Sequence, residues 1–261
     1  MTIIAGVFSI CAILCYIVCF KLTSERVEVP ASNQKISASA IFKSIFTNKA
    51  LLGIIVAAIF VLLSQLTVMS LAGYVYPNVY GSAAAQSTAS LLGTVVMLVV
   101  CAPFASKLSA KFGKKELAMG SSIISALVWL VCLIWRPASV WGFVACYILA
   151  NIGMGFFNTI IWAMITDVID DAEVRNGVRE DGTIYSVYSF ARKLGQAFSS
   201  GLVGALLGII GYTEATAFDP AVTRGIFNMA CIAPIIGFVC IVLALAFLYP
   251  LNKKKVEENV A

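Results

Sequence analysis

Seven stretches of this chain are too long and too free of charge to fold in water. They run over approximately 2–20, 50–72, 84–106, 117–135, 140–166, 183–211 and 225–249. A hydrocarbon core of ~30 Å takes about 20 apolar residues to cross as a helix, and each run is about that long. In lipid every backbone polar group must be satisfied within its own segment, so each run predicts a helix. The expected fold class is an all-α membrane protein with seven transmembrane helices. Composition agrees: 12% of residues are charged, where a soluble domain carries about a quarter.

Charge sets the orientation. Of the eighteen Lys and Arg residues, Arg192 and Lys193 fall inside an apolar run, and only Arg136 and Arg224 fall on one side of the membrane. The others, from Lys21 to Lys255, share the opposite side. Cationic residues gather on the cytoplasmic face, which places the N-terminus outside and the C-terminus in the cytoplasm of a plasma (inner) membrane protein. The net charge of +5 reflects that bias and is no nucleic-acid signal. The first run has no basic residue before it and Lys21 after it. A signal peptide has the reverse order, so it reads as a spanning helix.

The chain divides into a lone helix at 1–20, a polar cytoplasmic linker at 21–49, a six-helix unit at 50–250 and a cytoplasmic tail at 251–261. Within the linker, Ile41, Phe42, Ile45 and Phe46 share one face, which suits either a short surface helix or the start of the next span. The eight cysteines lie in apolar runs without a CxxC pair, and the chain has no histidine. They read as small packing residues, and no metal site or cofactor is expected. Pro103 and Pro234 mark kinks inside spans. The sixth run is rich in small residues, Gly195, Ser199, Gly201, Gly204 and Gly208 among them, which let helices approach closely in lipid.

Two polar stripes stand out. In the fifth run Asn151, Gly155, Asn158, Trp162 and Thr166 share one helix face. In the sixth, Ser186, Ser189, Lys193, Gln196 and Ser200 do the same. Such stripes should face each other or a wet cavity rather than lipid. Lys193 lies ~15 Å along its helix from Thr183, near the midplane. It needs an anionic partner or water there, which makes it the leading functional candidate. Arg192 is turned by ~100° from it and cannot share that face, so one of the two is expected only to snorkel or bond a backbone carbonyl. Between the two runs stand Asp167, Asp170, Asp171, Glu173, Arg175, Arg179, Glu180 and Asp181. Carboxylates at a helix C-terminus oppose its dipole, so Arg175 and Arg179 are expected to offset Asp167, Asp170 and Asp171 in a cytoplasmic charge network.

The segment TDVIDDAEVRNGVREDGTIYSVYSFARKLGQA resembles the signature between helices ten and eleven of the glycoside–pentoside–hexuronide:cation symporters of the major facilitator superfamily. PFASKLSAKFGKKE resembles that superfamily's basic tight turn, and FKSIFTNKALL the start of the family's helix seven. The resemblance covers the whole chain. It implies that the seven helices correspond to helices six to twelve of a twelve-helix fold. It also implies transport of a sugar or glycoside with Na⁺ or H⁺, the solute sitting between two bundles near the midplane. Carried over residue by residue, it puts Lys193 beside the cation site, Tyr188 and Ser189 one turn earlier, and Trp162 against the sugar. Asn158 and Gln196 join them on the polar stripes. Asp167 to Asp181 becomes the cytoplasmic gating segment. The family's first bundle, with its cation-binding and main sugar-binding carboxylates, has no counterpart in this chain. That implies either a partial reading frame or a partner chain supplying the first half.

Two other classes compete with the carrier. DVIDD forms a DxxDD pattern at a membrane surface, which suits Mg²⁺ held for a lipid diphosphate in a membrane enzyme. A non-transporting remnant or scaffold also suits a chain without a first bundle.

Overall fold

The computed structural model describes residues 2–24, 48–177, 179 and 181–260. All regular structure among them is helical. The chain separates into two units, Met1–Ala38 and Ser39–Ala261. The first contains α1 (Thr2–Leu22). The surface-helix candidate at Ile41 to Phe46 lies outside the described residues.

The second unit is a helical bundle. Its elements are α2 (Lys49–Tyr74), α3 (Ala83–Val96), α4 (Ala102–Phe112), α5 (Lys114–Trp135), α6 (Val140–Asn176), α7 (Asp181–Ile209), α8 (Pro220–Phe247) and the tail helix α9 (Lys253–Val260). Helix α2 packs against α7 and α8, while α5 packs against α6 and α8, and α3 lies along α6. Ile54, Leu71, Phe157, Ile161, Met164, Ile226 and Leu245 are buried between them. Leu91, Leu98, Leu127, Phe190, Phe198 and Leu243 point outward. A bundle apolar on both its inside and its outside has lipid, not water, as its surroundings.

Six helices among the described residues are long and apolar enough to cross a membrane: Ile4–Leu22, Lys49–Val79, Ala83–Phe112, Lys114–Trp135, Val140–Arg175 and Pro220–Phe247. The seventh expected span, at 183–211, is helical as far as Ile209 as α7 but is not among them. Arg192, Lys193, Gln196 and its serines dilute its apolar content.

Local chemistry explains the breaks. Pro103 cannot donate to the carbonyl one turn back, and the single π-turn Met97–Cys101 immediately before α4 absorbs the mismatch. A second π-turn, Val75–Val79, contains Pro77. Pro234 sits within α8, which runs through it unbroken. Asn48 caps α2, its Oδ1 accepting from the Leu51 amide at 3.1 Å. Gly113, at φ 101°, turns α4 into α5 in a single residue, a conformation that favours glycine.

Helix α6 continues ten residues past the expected end at 166. The charged stretch therefore begins inside the helix and not in the loop after it. Arg175 pairs with Asp171 across one turn, Nε to Oδ2 at 2.9 Å, and such i,i+4 pairs support a continuing helix. Gly177, at φ 69°, then ends it.

Candidate functional site

Two clusters of polar side chains stand out against this apolar background. The first is the charged end of α6. Asp167 is buried, and its Oδ1 accepts from Lys114 Nζ at 2.6 Å. Lys114 comes from the first turn of α5, so the pair joins two helices. Asp171, equally buried, faces Arg175, and its Oδ1 accepts from Asn259 of the tail helix at 3.2 Å. Arg179 gathers three carboxylates: Asp170 at 2.9 Å, Glu173 at 2.7 Å and Asp181 at 2.9 Å. The hydrogen bond to Glu173, then those to Asp170 and Asp181, push its pKa further above the ordinary guanidinium value. Asp181 opens α7, where the helix dipole favours an anion. Arg179 thus ties the end of α6 to the start of α7. Glu180 lies outside the described residues.

The expected offset of Asp167 by Arg175 or Arg179 is corrected: its partner is Lys114. Periodicity places Lys114 in a basic turn but says nothing about which helix end that turn touches. Each of Asp167, Asp170 and Asp171 already pairs with a cation of the protein through one of its oxygens, whereas the Mg²⁺ reading needs carboxylates whose charge is left for the ion.

The second cluster lies where α6 faces α7. Tyr188 is fully buried, and its hydroxyl accepts from Arg192 Nη1 at 3.2 Å. The Arg192 guanidinium sits 5.2 Å from the centre of the Trp162 ring and 5.7 Å from that of Tyr188. Trp162 meets Tyr188 edge-on at 5.7 Å and lies beside Tyr185 at 6.0 Å, tilted by 30°.

This arrangement differs from the expected one. Lys193 is exposed, and its described partner is Gln196 Oε1 at 3.2 Å. The buried face of α7 is Ile184, Tyr188, Ala191, Gly195 and Ser199, which turns Ser186, Lys193 and Ser200 away from the core. Asn158 donates instead to Gln65 of α2, at 3.4 Å. No hydrogen bond among the described residues joins the two stripes. The cation beside Trp162 is therefore Arg192, because helical phase points it at the α6 face while Lys193 points outward. Tyr185 and Gln65 were not apparent from sequence. Tyr185 falls off the polar stripe, and Gln65 sits between Ser64 and Thr67 in an otherwise apolar run with no charge to mark it. Of the small residues in α7, Gly195 meets α2 closely, but Gly201, Gly204 and Gly208 face open space.

Residues 1–253 match the family described as MFS/sugar transport protein. The chain belongs to this family. Among its relatives is a Bacillus subtilis (strain 168) protein named as an uncharacterized symporter, YjmB, 30% identical over 99% of this chain and 56% of its own length. A glucuronide carrier protein homolog of Escherichia coli (strain K12) is 28% identical over 97% of this chain and 55% of its own. An isoprimeverose transporter of Lactiplantibacillus pentosus is 24% identical over 98% and 55%. The chain spans about half the length of the curated relatives it matches. It is a multi-pass membrane protein of a transporter family, not an enzyme, and the resemblance seen in its signature segment is a family relationship.

Proposed function

We propose that this chain forms the C-terminal portion of a secondary carrier that moves a sugar or glycoside together with Na⁺ or H⁺ across the plasma membrane. It acts with a first six-helix bundle in cis or in trans, and its helices are six to twelve of the assembled fold, α7 included. The observation that carries this reading is the family match over nearly the whole chain combined with the aromatic–cation cluster on α6 and α7. Trp162, Ser189 and Asn158 line the solute path, with the buried Tyr188 behind Trp162 and Arg192. Lys193 and Gln196 lie on the outward face of α7, where a first bundle brings the carboxylates that Lys193 needs. The network of Asp167, Asp170, Asp171, Arg175, Arg179, Glu180 and Asp181 controls closure on the cytoplasmic side. The names of the relatives refer to different solutes, glucuronide and isoprimeverose, so they leave the solute open.

The test is uptake of labelled sugars by cells co-expressing this chain with a relative's first bundle, with and without a Na⁺ or H⁺ gradient. Gradient-driven accumulation is expected. Lys193→Ala abolishes it at unchanged protein level. Arg179→Ala slows it roughly tenfold, about 1.4 kcal/mol in the rate-limiting step, while sugar affinity stays nearly constant. A chain that accumulates no sugar in any pairing refutes the carrier reading.

Orientation is tested separately. A cysteine at Ser82 should react with an impermeant maleimide in intact cells, and one at Asn252 should react only after permeabilisation. The reverse pattern inverts the topology.

A further inference from the structure

The Arg192 guanidinium is half-buried on a helix whose surroundings are apolar. It lies ~16 Å along α7 from Asp181, so it cannot reach the headgroup region cheaply. An ion in that position needs an anion, yet no carboxylate among the described residues pairs with it. Trp162 and Tyr188 cover part of the cation, and cation–π attraction offsets only part of the lost hydration. Of its five N–H donors, one is used among the described residues, in the bond to Tyr188 Oη. That bond and the two rings fix the plane of the guanidinium and leave most of its donors free.

Beside the guanidinium lies an aromatic surface. Trp162 is 44% exposed and Tyr185 48%, and their rings lean together at 6.0 Å. Such a surface accepts the apolar C–H face of a pyranose ring, as aromatic side chains line ligand sites generally. A planar fork next to a stacking surface matches a sugar that carries a carboxylate, since Arg binds carboxylates through paired, parallel hydrogen bonds. A neutral glycoside would stack equally well but leave the fork unpaired.

We propose that Arg192 selects a sugar acid, of the hexuronate or hexuronide class, over a neutral glycoside, with its guanidinium held on Trp162 and Tyr188 and its free donors meeting the solute's carboxylate. The assignment rests on the sugar-carrier reading above. The competing source of the anion is a carboxylate of the first bundle, which would make Arg192 a structural partner with no preference between solutes.

The experiment measures binding of labelled methyl β-D-glucuronide and methyl β-D-glucoside to this chain co-assembled with the first bundle of the isoprimeverose transporter in lipid nanodiscs, at matched ionic strength. The wild type should bind the glucuronide roughly tenfold more tightly or better, the scale of one charge-assisted pair. Arg192→Gln should erase that preference and leave glucoside binding unchanged. Arg192→Lys, which keeps the charge but not the fork, should restore part of it. A preference that survives Arg192→Gln overturns the proposal. So does a loss that falls equally on both sugars, which is the signature of a pair within the protein. Equal affinities in the wild type, or binding of neither sugar, also remove Arg192 as selector. The carrier reading then stands or falls on the uptake assay alone.

Discussion

Gly195→Val is expected to abolish the folded bundle. A Cβ at this position would lie 2.8 Å from the Ile59 carbonyl oxygen and 3.2 Å from Ile59 Cα. Both are backbone atoms of α2, so no rotamer change relieves the contact. Alanine there gains about 1 kcal/mol of helix propensity but forces α7 a few tenths of an ångström from α2. Overpacking of that kind costs roughly 1–3 kcal/mol, so Gly195→Ala should be mildly destabilising. Valine adds two methyls toward Leu62 Cβ, which already stands 3.3 Å from the alanine position. Its expected cost is above ~3 kcal/mol, a large share of the 5–15 kcal/mol that holds a typical domain together. Helix α7 has few other anchors, since its main described neighbour is α2. Detergent-solubilised Gly195→Val should therefore aggregate in size-exclusion chromatography, while Gly204→Ala, with open space around it, should elute and melt as wild type. A monodisperse valine variant with an unchanged melting temperature would show that α2 and α7 do not meet at this glycine.

The same helix shows what a sequence can and cannot reveal. Hydrophobic run length located the helices of the bundle, because lipid demands that run length of any span. It located α7 as well, although Arg192 and Lys193 take that helix below the apolar content of its neighbours. Period then sorted α7 into faces but could not say which face another helix covers. Gly195, Gly201, Gly204 and Gly208 look alike in sequence, yet α2 covers only the first. Lys193 and Arg192 are adjacent, and depth alone favoured either as the buried cation. The packing of α7 on α2 fixes the rotation that brings Arg192 to Trp162 and leaves Lys193 outside. The charged segment failed for a different reason. Asp167 to Arg175 reads as the close of a helix because carboxylates oppose its dipole, but Lys114 and Arg175 offset that cost and the helix continues to Asn176. Periodicity does not encode a partner 53 positions away in the chain.

That partner carries the second large effect. Lys114→Met is expected to destabilise the bundle by about 3 kcal/mol, the low end of what breaking a buried pair costs. The low end applies because the Asp167 side chain is 6% exposed but that of Lys114 is 33% exposed, so water partly screens the pair. Without the ammonium, Asp167 is left buried without its 2.6 Å contact. Its Oδ2 already has no hydrogen-bond partner among the described residues. A cavity of about 300 Å³ lined by Ser109, Gly113, Lys114, Asp167, Leu251 and Lys253 adjoins it, roomy enough for water to serve that oxygen. The neighbouring lysines cannot take over. Lys115 donates to the Tyr249 carbonyl at 2.6 Å and Lys253 to that of Ala110 at 2.8 Å, each holding a helix C-terminus in place. A double-mutant cycle separates the charge from the packing. Asp167→Asn alone leaves a neutral amide beside a half-solvated lysine and should cost less than Lys114→Met. Combining the two removes the stranded carboxylate and should recover more than half of the Lys114→Met loss in thermal or denaturant midpoint. If the double variant instead shows the sum of the two single losses, Lys114 and Asp167 act independently, and the link between α5 and α6 rests on apolar packing alone.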